Sequence, residues 1–298
     1  MLGSRIRVVG FLSLVVLATA ATVAVPARAQ GPVSLCNSRL AVAVHPDSHL
    51  SFGAFPDTAT CQPRSDGSSF SLSHLWPTTA NSFTTVRIDQ NVVRLSQVHE
   101  LNPPTTEEVP GAIYAEYSVG VINITQIVEM SVNPITGRID AARISYSLEN
   151  NGEEPADVGL RWMLDANVAN DPNAPYVIGG TRLAGEADFV SNIPDRFVIE
   201  NTADPLKAGG GILTGGANVT PTRFLVSTAS NLSSNAWFAA AGQTPMPFDT
   251  ASATYWEQPQ LLPGADVTFA TQFGLGPADG SGGVGGGDGD GEPFAGCT

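Results

Sequence analysis

Lysine is almost missing from this 298-residue chain. Lys207 is the only one, and with thirteen arginines it faces 28 Asp and Glu residues, for a net charge of −14. A surface so poor in cations repels phosphate backbones, which excludes nucleic acid as a partner. Cysteine is scarce too: Cys36, Cys61 and Cys297 are the whole set, and their spacing matches no zinc site. Helical periodicity is absent beyond the first 30 residues, and no later stretch is long and apolar enough to span a bilayer. There is no G-x-S-x-G nucleophile elbow. The four histidines are His45, His49, His74 and His99. His45 and His49 flank Pro46, which argues against a helix presenting both on one face. His99 and Glu100 are neighbours, but on a strand they point opposite ways. The acid pairs Glu107-Glu108 and Glu153-Glu154 sit in polar, turn-like stretches and read as solvated loops rather than a paired general acid and base.

What the sequence does carry begins at its first residues. Arg5 and Arg7 precede an uncharged run from Gly10 to Val25, and Ala27 and Ala29 occupy the small-residue positions of an A-x-A cleavage site. This predicts a signal peptide over residues 1–29, cleaved after Ala29. The apolar run, about 16 residues, is short of the roughly 20 that cross a bilayer. The expected product is secreted, extracellular or cell-surface, with no transmembrane segment after cleavage. Losing three arginines and no acid takes the charge from −14 to −17. In an oxidising compartment Cys36 and Cys61 are the natural partners, and their bridge would stabilise by about 3 kcal/mol in the loop-entropy model.

The remainder reads as strands. Ser-Phe-Thr-Thr-Val-Arg-Ile (82–88), a polar turn at Asp89-Gln90-Asn91 and Val-Val-Arg-Leu make a hairpin. Ile122, Ile124, Val128 and Met130 share one face, with Gln126 as a polar exception. Over Ile139 to Leu148 the apolar face is Ala142, Ile144, Tyr146 and Leu148, and Arg143, Ser145 and Ser147 alternate with it. Further strands are expected at 158–164, 197–200, 222–227, 236–240 and 267–273. Many short strands with dispersed Gly and Pro predict an all-β fold, a large antiparallel β-sandwich over residues 30–276. Residues 277–298 are a Gly/Asp-rich tail with too little apolar surface to order, so disorder is expected there. Asp288-Gly-Asp290-Gly in that tail lacks the other ligands of a calcium loop.

The stretch from Tyr146 to Pro175 is the most distinctive. A strand ends at Asn150, a polar turn follows, then Val158-Gly-Leu-Arg161, Asp165 and an Asn170-Asp171…Pro175 loop. With Tyr255-Trp256, Leu262-Pro263-Gly264 and Phe273-Gly-Leu-Gly276, this resembles bacterial exported proteins of uncharacterised function with a galactose-mutarotase-like β-supersandwich. The resemblance covers roughly residues 80–276. It implies a supersandwich-like fold and carries no activity with it.

Two candidate sites follow from this stretch. Asp165, Asn167, Asn170, Asp171 and Asn173 offer oxygen ligands within nine residues, which suits calcium as a possible cofactor. Asx turns account for the same residues. Arg161 and Trp256 are candidates for ligand contact, and Trp162 points to the opposite strand face from Arg161. A buried Arg161–Asp165 pair, with Trp162, Trp237, Phe238, Tyr255 and Trp256 in the core, is the competing structural reading. Function narrows to two classes. One is an extracellular β-sandwich module with a binding or structural role toward carbohydrate or another surface protein. The alternative is a carbohydrate-active enzyme on a mutarotase-like scaffold, which requires a histidine and a carboxylate to converge in the fold.

Overall fold

The computed structural model describes residues 31–296 apart from 75, 77–80, 102–104, 110, 214–218, 243–248 and 278–294; the side chains of 99–101, 105–109 and 295–296 are not described. The expected signal peptide and its cleavage point, the acidic repeat at 288–291, Cys297, and the side chains of His99, Glu100, Glu107 and Glu108 therefore lie outside the described residues.

The chain opens with a meander of short strands: β1 (Val33–Cys36), β2 (Leu40–Val44), β3 (Leu50–Ala54) and β4 (Phe70–Ser71). Next come β5 (Phe83–Ile88), β6 (Asn91–Arg94) and helix α1 (Leu95–Leu101). They lead into β7 (Thr105–Val109), β8 (Ala112–Val119), β9 (Ile122–Val132) and β10 (Ile139–Asn150). After β11 (Ala156–Asp165) follow β12 (Tyr176–Ile178), β13 (Thr181–Arg182), β14 (Ala187–Phe189), β15 (Arg196–Glu200), β16 (Ala208–Ile212) and β17 (Arg223–Thr228). Helix α2 (Ala229–Ser234), β18 (Thr250–Leu261), β19 (Asp266–Leu275) and β20 (Ala295–Gly296) complete the order.

Every strand pair is antiparallel. A nine-stranded sheet runs β13-β12-β15-β16-β19-β10-β9-β8-β7, a six-stranded sheet runs β14-β17-β18-β11-β5-β6, and a five-stranded sheet runs β20-β1-β2-β3-β4. The bridges Leu50↔Ser82 and Ser73↔Ala166 join the two smaller sheets into one layer facing the large one. The main core lies between the layers and draws Val42 and Phe52 from the first sheet, Leu160, Trp162 and Trp256 from the second, and Ile144, Tyr146 and Phe273 from the large one. Full burial of such side chains contributes roughly 1.5–3 kcal/mol each. The all-β antiparallel sandwich expected from the sequence is the fold.

Alternation places residues as the pattern requires. On β10, Ala142, Ile144, Tyr146 and Leu148 are buried in the core. Gln126, polar on the apolar face of β9, is fully buried because it completes a hydrogen-bond chain. Tyr117 Oη donates to its Oε1 (3.0 Å), its Nε2 donates to Tyr146 Oη (2.8 Å), and that oxygen meets Thr84 Oγ1 across the layers at 2.5 Å. Burial pushes the Tyr117 phenol up to about 12 and raises Tyr146 further. Both stay neutral donors at any physiological pH.

Asn150, the residue at which a strand was expected to end, is buried where β10 and β11 part into opposite layers. Its side-chain amide donates to Glu154 O (2.9 Å) and Leu261 O (2.8 Å), and its backbone carbonyl accepts from Gly264 N (2.7 Å). One side chain thus ties together two turns that switch layers. Cys36 and Cys61 are bridged, pinning the end of β1 to the 57–62 turn, with Trp76 packed beside them over Gly53.

Three expectations need correcting. Residues 236–240 form no strand; they belong to an irregular strap across the outer face of the six-stranded sheet. Two short helices occur where no helical period was visible. Phe238, expected in the core, is 80% exposed, whereas Trp162, Trp237, Tyr255 and Trp256 are buried. In the tail, Ala295 and Gly296 pair with Cys36 and Leu35 on β1.

Candidate functional site

The end of β11 brings the chemistry together. Positions 161, 163 and 165 share the outer face of the six-stranded sheet. Met163 and its cross-strand neighbours Phe83 and Ala253 lie in the apolar cluster there. Asp165, two residues on, is 3% exposed. Its backbone is fixed on both sides: Asp165 N donates to Ser82 Oγ (3.1 Å), and His74 N donates to Asp165 O (3.0 Å). The second bond holds His74 beside Asp165, close enough for its imidazole to act on the carboxyl charge. Asn81 also faces that carboxyl, and Asp249, immediately before β18, adds a second acid.

Burial pushes the Asp165 carboxyl up to about 6; His74 opposes that rise and Asp249 reinforces it. The Asn81 side chain hydrogen-bonds the Asp165 carboxyl, while Asp165 Oδ1 is buried without a partner, as is Asn167 Oδ1. Asn167 lies beyond the Ser73↔Ala166 bridge, with Nδ2 at 3.4 Å from His74 Nδ1. Tyr176, buried on β12, feels the Asp165 charge and keeps its phenol neutral, its pKa raised by burial. Asp165 and Asn167 thus each carry an acceptor oxygen beside His74 where the two small sheets meet, within reach of the Asp249 charge. Most buried acceptors are satisfied, so this pair of acceptors singles out the place in the fold as a candidate site.

Of the five oxygen-bearing residues singled out for calcium, Asp171 and Asn173 have side-chain oxygens already engaged by protein donors. Asp171 Oδ1 accepts from Asn173 N (3.0 Å), and its Oδ2 accepts from Thr202 N (2.8 Å) and Thr202 Oγ1 (2.6 Å). Asn173 Oδ1 accepts from Asp249 N at 3.0 Å. Asn170 has a positive φ of 64° and is exposed, and its N–H donates to Ser71 Oγ. The Asx-turn reading describes Asp171 and Asn173; Asp165 and Asn167 belong to the His74 site. Among the described residues no three His, Cys, Asp or Glu side chains are grouped as a metal site.

Arg161 and Trp256, singled out for ligand contact, are fully buried. Trp256 packs on Phe269 in the main core. Arg161 forms no pair with Asp165. Its Nε donates to Tyr255 Oη (3.1 Å), Nη1 to Ala236 O (3.1 Å) and Nη2 to Leu232 O (2.9 Å), and its guanidinium lies against the rings of Phe83 and Tyr255. Its partners are carbonyls and π faces, so it braces the strap and touches no solvent. Sequence reasoning missed His74 as a partner of Asp165. The two are 91 positions apart in sequence, and the backbone bond that joins them leaves no trace in either local pattern.

No protein-family model matches the sequence, and no curated protein sequence matches it. Among solved structures, a putative aldose 1-epimerase from Escherichia coli K12 superposes with a TM-score of 0.45 at 11% identity, over 82% of this chain and 98% of that one. A galactose mutarotase related enzyme from Lactobacillus acidophilus gives 0.43 at 7%, over 83% and 98%. A 4-alpha-glucanotransferase from Thermococcus litoralis gives 0.43 at 8%; this chain covers 37% of its length. No residue role is carried over from any of them.

Proposed function

We propose that the protein is an exported β-sandwich module that binds a hydroxyl-rich, carbohydrate-class ligand at the Asp165 site. The observation that carries this reading is the pair of buried acceptors, Asp165 Oδ1 and Asn167 Oδ1, left without donors beside His74. Sugar hydroxyls supply donors at the spacing of adjacent ring positions, and a site built to accept them discriminates strongly against ligands that lack them. The bridged Cys36–Cys61 pair fits an oxidising compartment. No helix among the described residues is long and apolar enough to cross a membrane. Saturation-transfer NMR against a panel of neutral mono- and oligosaccharides tests the reading. Wild type is expected to give ligand signals that Asp165→Ala and His74→Ala abolish, and a panel without any signal overturns it.

A second reading, a carbohydrate-active enzyme, is favoured by one specific observation. The Asp165 carboxyl, raised to about 6 beside an imidazole, is suited to moving a proton near neutral pH. Polarimetry on freshly dissolved aldoses separates the readings. Accelerated anomer interconversion, lost in Asp165→Asn, favours the enzyme; binding without acceleration favours the module.

A further inference from the structure

The turn from β2 to β3 holds two histidines in different ways. It runs His45-Pro-Asp-Ser-His49 between Val44 and Leu50, which pair across it. His45 N donates to His49 O (2.9 Å) and Ser48 N to His45 O (2.8 Å). His49 is half-buried. Its Nδ1 lies 3.1 Å from Asp47 Oδ2, its N–H donates to Asp47 Oδ1 (3.3 Å), and its ring lies against Phe83 with centroids 5.9 Å apart. His45 is buried, and so is Ser51, whose Oγ stands 2.9 Å from His45 Nε2. Ser48, also buried, has a φ of 66°, in the left-handed region that residues with a side chain seldom adopt.

This turn is also a joint. Leu50, the residue after it, donates its N–H to Ser82 O (2.9 Å), in one of the bridges that join the two small sheets. Phe83, against which His49 rests, is the next residue after Ser82. A displaced turn therefore loosens the join between the sheets.

We propose that the β2–β3 turn is an acid-released latch: with His45 neutral it closes on Ser51 and holds Leu50 against Ser82, and protonation of His45 opens it. An imidazolium at this place is a buried charge whose hydrogen-bond neighbour is a neutral hydroxyl, which is costly. Among the described residues, the titratable groups that face His45 are Asp47, which favours its proton, and His49, which opposes it. Asp47 is exposed, is already paired with His49, and also faces Tyr117 on β8. Burial outweighs its attraction and holds the His45 imidazole below its ordinary value. In the opened turn the ring is solvated and takes its proton at about pH 6.5. A group that holds its proton less tightly in the closed form favours closure above that pH, and the preference is lost as the pH falls below it. Opening also relaxes the backbone of Ser48. The latch does not depend on what binds at Asp165.

Amide hydrogen exchange of the full chain tests this, read by NMR as protection factors at about pH 7.5 and about pH 5. The amides of His45, Ser48 and Leu50 donate the bonds of the turn and its joint. At the lower pH they should lose about threefold or more of their protection relative to Ile144 and Leu148 on β10, whose exchange reports global opening. His45→Gln keeps a side-chain nitrogen for Ser51 and has no charge to gain, so its turn should be equally protected at both pH values. His49→Gln, at a half-buried position, should keep the wild-type loss, and it covers the case in which His45→Gln fails to fold. Wild-type turn amides equally protected at both pH values overturn the proposal. So does a loss that persists in folded His45→Gln, or one that His49→Gln abolishes, since the proton is then taken up elsewhere.

Discussion

Two buried side chains show how differently this fold treats polar groups. Asp165 is held in a place that favours its proton: burial raises its carboxyl from 3.8 to about 6. An acid whose folded pKa is raised contributes stability that is complete below the unfolded value and is lost as pH rises through the folded one. The contribution of Asp165 should therefore be present at pH 3.5, decline between pH 4 and pH 6, and be gone at pH 7. Measured by urea unfolding, the difference between wild type and Asp165→Asn should fall by up to about 3 kcal/mol over that range. A flat difference would mean that the carboxyl titrates normally. Gln126 is the opposite case, polar and fully satisfied. Gln126→Leu strands Tyr117 Oη and removes a donor from Tyr146 Oη. It should cost about 1–3 kcal/mol by the penalty for an unpaired buried group, read as a lowered midpoint in urea with unchanged slope.

At the scale of elements, close approach decides what β19 tolerates. Gly274 faces Ala141 on β10 and Gly210 on β16. A Cβ there would stand 2.1 Å from Asp140 O and 2.5 Å from Ala141 Cα. Backbone cannot yield as a flexible side chain does, so Gly274→Ala should destabilise by about 3 kcal/mol or more. A thermal midpoint within 2 °C of wild type would refute this. β9 and β10 were legible by alternation because one face of each meets the core, whereas β5 and β11 are buried on both faces, between the main core and the outer apolar cluster, and read as apolar runs. β16 was not, because Ala208-Gly-Gly-Gly211 carries almost no side chain to alternate. The strap at 236–240 was misread as a strand because its Trp237 and Ala239 are buried at a spacing of two against the outer face. The site was half legible: the Asx-rich stretch drew attention to Asp165 and Asn167, while His74 and Asp249 join them through strand pairing and turns far away in sequence.

Across the whole molecule, β18 and β19 occupy matching places in the two layers. β18 is flanked by β17 and β11 in the six-stranded sheet, and β19 by β16 and β10 in the large one. The turn between them, Leu262-Pro263-Gly264 with Gly264 at φ 71°, carries the chain from one layer to the other, beside the buried Asn150. Without these two strands, β14 and β17 have no strand linking them to β11, β5 and β6, and β12, β13, β15 and β16 have none linking them to β10, β9, β8 and β7. The order in which a ribosome delivers the chain therefore matters. The strand that joins the halves of the six-stranded sheet ends at Leu261, and the one that joins the halves of the large sheet ends at Leu275. We expect closure of both larger sheets to be a late step, since it needs contacts across much intervening chain: in pulsed hydrogen exchange during refolding, amides of β18 and β19 should be protected last.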